Sequence, residues 1–174
     1  LLFFDIQDDQ IGPLNALLAR EGRPASQQAA IVTMRVRSLK GRAVEDILRE
    51  PDNRIPGWTL RREYRSTYRA GMTDTEVLLS GEMVPRVGPG TEPVPITIEE
   101  GLARDMQLEL GDEVEFDVQG VAVPTRVAGI RKVDWQRLQP NFFIVFPEGV
   151  LEEAPQFFVS ALRTETPVES ARLQ

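Results

Sequence analysis

Residues 112–118, DEVEFDV, alternate acidic and apolar side chains from Glu113 onward without a break. In an extended chain successive side chains point to opposite faces, so Glu113, Glu115 and Asp117 share one side and Val114, Phe116 and Val118 the other. That pattern is a half-buried strand with a wet acidic face. Gln119-Gly120 follows as a hairpin turn, and VAVPTRVAGIRKV reads as the returning strand. Residues 102–120 hold six acidic side chains in nineteen positions, a density that raises the question of metal binding or acid–base catalysis. A calcium loop bends its ligands around a glycine-bearing turn, and Val114 and Phe116 oppose that geometry. Gly111-Asp112 before the strand reads as a turn, with Gly for a positive φ and Asp for local hydrogen bonding.

The rest of the chain mixes both periodicities. LLFFDIQ reads as a short buried strand, and DDQIGPLNALLAREG as a helix with Ile11, Leu14, Leu17 and Leu18 on one face and Gly22 as its stop. Pro13 has no N–H to donate, so this helix is expected to begin near Pro13 rather than at Asp8. AAIVTMRVRSLKG is a strand that sets Met34, Val36 and Ser38 against Thr33, Arg35 and Arg37, and RAVEDILRE is a short helix ended by Pro51. WTLRREYRSTYRA reads as a strand with Arg61, Glu63, Arg65, Thr67 and Arg69 opposite Arg62, Tyr64, Ser66 and Tyr68. EVLLSGEM is another strand, and VPRVGPGTEPVP is a loop. Thr97 is expected to cap a helix carrying Ile98, Leu102 and Met106, with Glu100 completing a capping box. FFIVF, PEGVLEEA and QFFVSALR close the chain as strand, short helix and strand.

The class is α+β. A strand–helix–strand unit near each terminus brackets a middle rich in short strands. The expected organisation is a discontinuous lobe from residues 1–56 and 138–174, with an inserted lobe of short strands and one helix over 57–137. The chain opens at Leu1 in what reads as mid-strand, as a fragment excised from a longer protein would.

Composition removes whole classes of chemistry. A net charge of −7 and a pI near 4.8 weigh against a duplex-binding surface, so no nucleic-acid partner is expected. There is no His and no Cys, which excludes thiol nucleophiles, Ser-His-Asp catalysis and Cys/His zinc sites. The longest apolar run, residues 142–146, is far short of the roughly 20 residues that cross a bilayer. Gly88-Pro89-Gly90 is not followed by Gly-Lys-Ser/Thr, so no phosphate loop exists, and no G-x-S-x-G elbow occurs. No catalytic residue, no cofactor and no metal ligand is therefore assigned.

Two other groups invite a functional reading. Glu99-Glu100 and Glu152-Glu153 are adjacent, and adjacent helical positions do not face each other. Arg61, Arg62, Arg65 and Arg69 with Tyr64 and Tyr68 mimic a single-strand nucleic-acid surface, where aromatics stack bases. Glu63 is interleaved among them, and a solvated sheet face is the better reading. An anionic lipid head group is the other partner this chemistry fits.

The segment ITIEEGLARDMQLELGDEVEFDVQG resembles a recurring pattern in the extracytoplasmic domains of FtsX/MacB-type ABC transporter permeases: a short helix, a Leu-x-Leu-Gly-Asp turn and a strand. RKVDWQRLQPNFFIVFPEGVLEEAP is similar to the YbbP-like branch in particular, most specifically at Arg131-Lys132-Val133-Asp134-Trp135 and Asn141-Phe142-Phe143-Ile144-Val145-Phe146-Pro147. FFDIQDDQ and LRREYRSTYR fit the same branch, and Met83 departs from it. The resemblance implies a MacB-type periplasmic core domain, with a porter-like lobe of strand–helix–strand units and an inserted β-rich lobe. It implies a non-enzymatic role in an inner-membrane permease, facing the periplasm between transmembrane helices. Through those helices it would meet an ABC ATPase subunit, with a homodimer in the full permease and a periplasmic or lipid-linked partner outside. A free-standing adaptor module with a small β-barrel, binding peptides or proteins, fits the Gly-Asp turn equally well. A carboxylate-dependent hydrolase would need two acids converging in a cleft.

Overall fold

The structure, a computed structural model, describes residues 1–137 and 139–162. The chain divides into two compact units, Leu1–Ile31 with Leu138–Pro140 and Gln156–Gln174, and Val32–Arg137 with Asn141–Pro155.

The first unit holds β1 (Leu2–Ile6), α1 (Asp8–Arg20), the opening of β2 (Gln27–Leu39) and the late strand β10 (Phe157–Ala161). β10 lies between β1 and β2 and is antiparallel to both. Ile6, Leu18, Ala30, Ile31, Val159, Ala161 and Leu162 are its buried apolar residues. β1 is less buried than an apolar, aromatic run suggests. Its register shifts between Phe3 and Ile6, Asp5 takes φ 54°, and Phe4 and Asp5 face solvent. α1 begins at Asp8, not near Pro13. Gln7 and Gln10 form a reciprocal capping box, and Asp8 and Asp9 sit where the helix dipole favours negative charge. Pro13 lies inside the helix on an exposed stretch, where it removes the bond to the Asp9 carbonyl. Leu18 is buried and Ile11 and Leu14 half-buried as expected, whereas Leu17 is exposed.

The second unit contains the remainder of β2, β3 (Arg42–Ala43), α2 (Val44–Arg49), α3 (Gly57–Arg61), β4 (Glu63–Tyr68) and β5 (Glu76–Gly81). It continues with β6 (Val94–Glu99), α4 (Glu100–Asp105), β7 (Glu113–Val118), β8 (Val121–Val133) and β9 (Ile144–Phe146). β2 pairs with β4, β4 with β9, β9 with β6, β6 with β8, β8 with β7, and β7 returns to β2. Six strands thus close into a barrel, which leaves none of them with an open edge along the ring. β5 stands outside it, paired antiparallel to the far half of β8. Val32, Met34, Val36, Tyr64, Ile96, Ile98, Val114, Phe116, Val127, Ile144 and Phe146 belong to one buried cluster. Within it Phe116 and Phe146 meet edge to face at 5.9 Å.

Local sequence explains most of these elements. β2 alternates buried Met34 and Val36 with exposed Arg35 and Arg37, then a register shift between Val36 and Ser38 hands the inward position to Leu39. The β7–β8 hairpin turns at Gln119 (φ 52°) and Gly120 (φ 96°), two positive φ values as a tight hairpin demands.

Three expectations are corrected. Residues 57–61 are helix, because Pro56 presents its carbonyl to both the N–H and the hydroxyl of Thr59, at 3.0 and 2.7 Å. Thr97 lies inside β6, a run buried at every position between β8 and β9, where β-branched Val94, Ile96, Thr97 and Ile98 favour a strand. Residues 147–156 form turns instead of a helix. Gly149 takes φ 102° and its N–H is capped by Glu152 Oε1 at 2.6 Å, while Pro147 and Pro155 bracket the segment. The second strand–helix–strand unit therefore does not form; the chain is α+β with strands predominating.

Candidate functional site

The acidic strand lies on the outer side of the barrel, and its neighbours answer its charge. Arg35 of β2 is in register with Glu63 of β4 on one flank and Asp117 of β7 on the other. Arg37 meets Glu115 at 3.3 Å and Lys40 meets Asp112 at 3.2 Å. The remaining capacity is local: Asp117 Oδ1 accepts from Gly120 N at 2.7 Å, and Asp112 Oδ2 from Glu109 N at 2.8 Å. Gly111 has φ 90°, as its turn requires. Among the described residues no three carboxylates gather as metal ligands would. The adjacent pairs also divide. Glu99 is buried and caps α4 through Leu102 N at 2.9 Å, in place of Thr97 and Glu100, while Glu100 points to Arg104 at 4.0 Å.

The Arg/Tyr strand is not a stacking platform. Tyr64 is turned inward, and its hydroxyl donates to the Thr59 carbonyl at 2.6 Å. Burial pushes its phenol pKa up, with Arg62 opposing and Asp105 reinforcing. Glu63 and Arg65 face solvent, and Arg69 leaves the row to bind Glu76.

Sequence reasoning missed the polar group at the heart of this unit. Arg131 of β8 is 0% exposed. Its Nε donates to Thr97 Oγ1 at 2.8 Å, Nη1 to Glu76 Oε1 at 2.8 Å, and Nη2 to the carbonyls of Phe142 and Phe143, both at 3.1 Å. Glu76 also accepts from Arg69, through Oε1 at 2.5 Å and Oε2 at 2.6 Å, and from Thr73 N at 3.3 Å. Burial lowers the Arg131 pKa to about 10, and Glu76 opposes that fall. One signal was available: in the β8 alternation Arg131 occupies the same phase as buried Val127 and Val133. The arrangement ties β5, β6, β8 and the residues leading into β9 together, with the Arg131 and Glu76 side chains closed to solvent.

An exposed group of a different kind sits beside α3. The Arg62 guanidinium carbon is 5.7 Å from the Trp58 ring centroid, 5.0 Å from Tyr64 and 5.2 Å from Phe143. Trp135 packs on Phe143 at 4.7 Å, with the rings tilted by 45°. Trp58 is 50% and Trp135 45% exposed, so a cation and two indoles share the surface. Two shallow clefts elsewhere in this unit are small. One of 230 Å³ lies among Gly88, Thr91, Val94, Val121 and Val150, and one of 120 Å³ beside Arg35, Glu63 and Asp117. Both fall below the roughly 300 Å³ at which pockets begin to enclose a small organic ligand.

Comparison with known proteins points in one direction. The similarity is to an ABC transporter permease, as residues 131–135 and 141–147 suggested. One relative is YbbP of Escherichia coli (strain K12), an uncharacterized ABC transporter permease, 29% identical over 161 residues that make up 92% of this chain. The chain spans 18% of the length of YbbP. No family model matches. Among solved structures, a crystal structure of a domain ascribed to a permease protein of Porphyromonas gingivalis covers 97% of this chain and 73% of that one. At 14% identity and a TM-score of 0.45, that likeness supports no assignment. No helix among the described residues is long and apolar enough to cross a membrane.

Proposed function

We propose that this chain is a non-catalytic extracytoplasmic domain of an ABC transporter permease of the inner membrane. In this role it couples ATP hydrolysis by a cytoplasmic partner subunit to export, or to lipid or lipoprotein handling, outside the membrane. The observation that carries the reading is the 29% identity to YbbP along 92% of the chain. The chemistry agrees with it. Asp112, Glu115 and Asp117 are engaged by Lys40, Arg37 and backbone amides, and the buried Glu76–Arg131 pair holds strands together. The two compact units would correspond to a porter-like lobe and an inserted lobe, and the full permease would work as a homodimer through its membrane part.

Location and coupling are tested separately. The chain has no cysteine, and a Cβ at Gly88 meets nothing within 4 Å, so Gly88→Cys in a cysteine-free full-length protein gives a unique, accessible thiol. A membrane-impermeant maleimide should label it in spheroplasts; labelling only after lysis overturns the extracytoplasmic placement. Bridging one cysteine in each unit of the full permease should change the ATPase rate of the assembled transporter. An unchanged rate together with unchanged transport removes the coupling role, because coupling requires the domain to differ between nucleotide states.

A further inference from the structure

The chain contains two tryptophans, and both belong to the patch around Arg62. Trp58, Arg62, Phe143 and Trp135 follow one another in contact, with the two indoles half-exposed at its ends and the cation between them. Arg37, Arg42, Arg69, Arg86 and Arg131 each hold a carboxylate. Among the described residues Arg62 has no ion pair; Asp105 acts on neighbouring Tyr64 through its charge without pairing with Arg62. Aromatic faces stabilise the guanidinium charge but are poor acceptors for its five N–H donors, which stay available to phosphate or carboxylate oxygens.

We propose that this patch docks the domain on an anionic phospholipid surface, with Arg62 taking a headgroup phosphate and Trp58 and Trp135 entering the interfacial layer. Indoles are at home in that layer because one end is apolar and the other wet, and a nearby basic residue adds attraction to anionic headgroups. The net charge of −7 does not forbid the contact. Repulsion between exposed charges is screened beyond about 8 Å at physiological ionic strength, so a local cation with apolar anchors decides at close range. The inference rests on the permease reading for one thing, the nearness of a bilayer.

Since both tryptophans lie in the patch, their emission reports its occupancy directly. The 174-residue chain is titrated with vesicles of phosphatidylglycerol and phosphatidylcholine, with phosphatidylcholine vesicles alone, and with inorganic phosphate. A blue shift and co-sedimentation are expected with the anionic vesicles only. Arg62→Gln should raise the lipid needed for half-binding about fivefold, the weight of one basic residue at such a surface. Arg37→Gln, a change to an exposed arginine elsewhere in the unit, should leave it unchanged. Trp58→Ala should weaken sedimentation independently of Arg62. Circular-dichroism melts matching the parent establish that the variants are folded. The proposal is overturned by no shift at millimolar lipid, by equal binding to both vesicle types, or by Arg37→Gln weakening binding as much as Arg62→Gln. Each of these results leaves the maleimide-labelling test of extracytoplasmic location untouched.

Discussion

Arg131 and Arg37 carry the same charge on the same barrel, yet burial gives them opposite weight. Arg37 and Glu115 are 61% and 34% exposed, and such a pair contributes less than about 1 kcal/mol, so Arg37→Ala should leave the urea midpoint almost unmoved. Glu76 compensates both Arg131 and Arg69 in the interior. Glu76→Ala would strand two cations side by side, and a loss of about 3–5 kcal/mol in equilibrium unfolding is expected. Tyr64 adds a pH dependence with a definite sign. Its pKa is raised by burial, so the stability it contributes is intact below its ordinary value near 10 and is lost as pH rises above it. For Arg131 the direction is opposite, since burial lowers its pKa and Glu76 opposes that fall. Tyr64→Phe removes the first effect alone. At pH 8 the variant should be about 1 kcal/mol less stable, having lost the bond to Thr59, and urea titrations up to pH 11 should show the gap to the parent narrowing.

Among the elements, those with an unambiguous period were legible and those decided by neighbours were not. β7 and β8 could be read because Glu113–Val118 alternates cleanly and Gln119-Gly120 can only turn. β6 could not: Ile98, Leu102 and Met106 do recur at helical spacing, but the first of them belongs to a strand whose burial is imposed by β8 and β9. α3 was hidden because the carbonyl of Pro56, which stops one segment, also starts the next. The Arg131 network and the Arg62 patch are assembled from distant parts of the chain, so spacing carries no trace of them; only the inward phase of Arg131 did. Glycine chemistry separates two positive-φ positions, one in the turn before β7 and one at the end of β5. Gly111 has φ 90°, and a Cβ there would meet nothing within 4 Å, so Gly111→Ala should cost only the left-handed backbone penalty, about 1–2 kcal/mol. Gly81 has φ 73°, and a Cβ there would stand 2.1 Å from the Ala128 carbonyl oxygen. Gly81→Ala should therefore cost clearly more than Gly111→Ala, which paired thermal melts would show.

On the scale of the whole molecule, the division between the two compact units falls between Ile31 and Val32, within β2 and without any linker composition. No change of composition could have marked it. The similarity to YbbP covers nearly the full chain, so it speaks for both units alike. The ring β2-β4-β9-β6-β8-β7 has a further consequence for how the protein wears. A strand in an open sheet can peel from the outside inward, each step small, whereas every member of a closed ring is gripped on two sides. Deuterium uptake should accordingly find one shared, slowest rate for amides at Val32, Tyr64, Ile96, Phe116 and Val127, with β5 and β1 exchanging ahead of them. A graded series of rates around the ring would contradict that picture. A circuit of this kind gives no advance notice of failure: it holds its amides closed until the whole loop lets go.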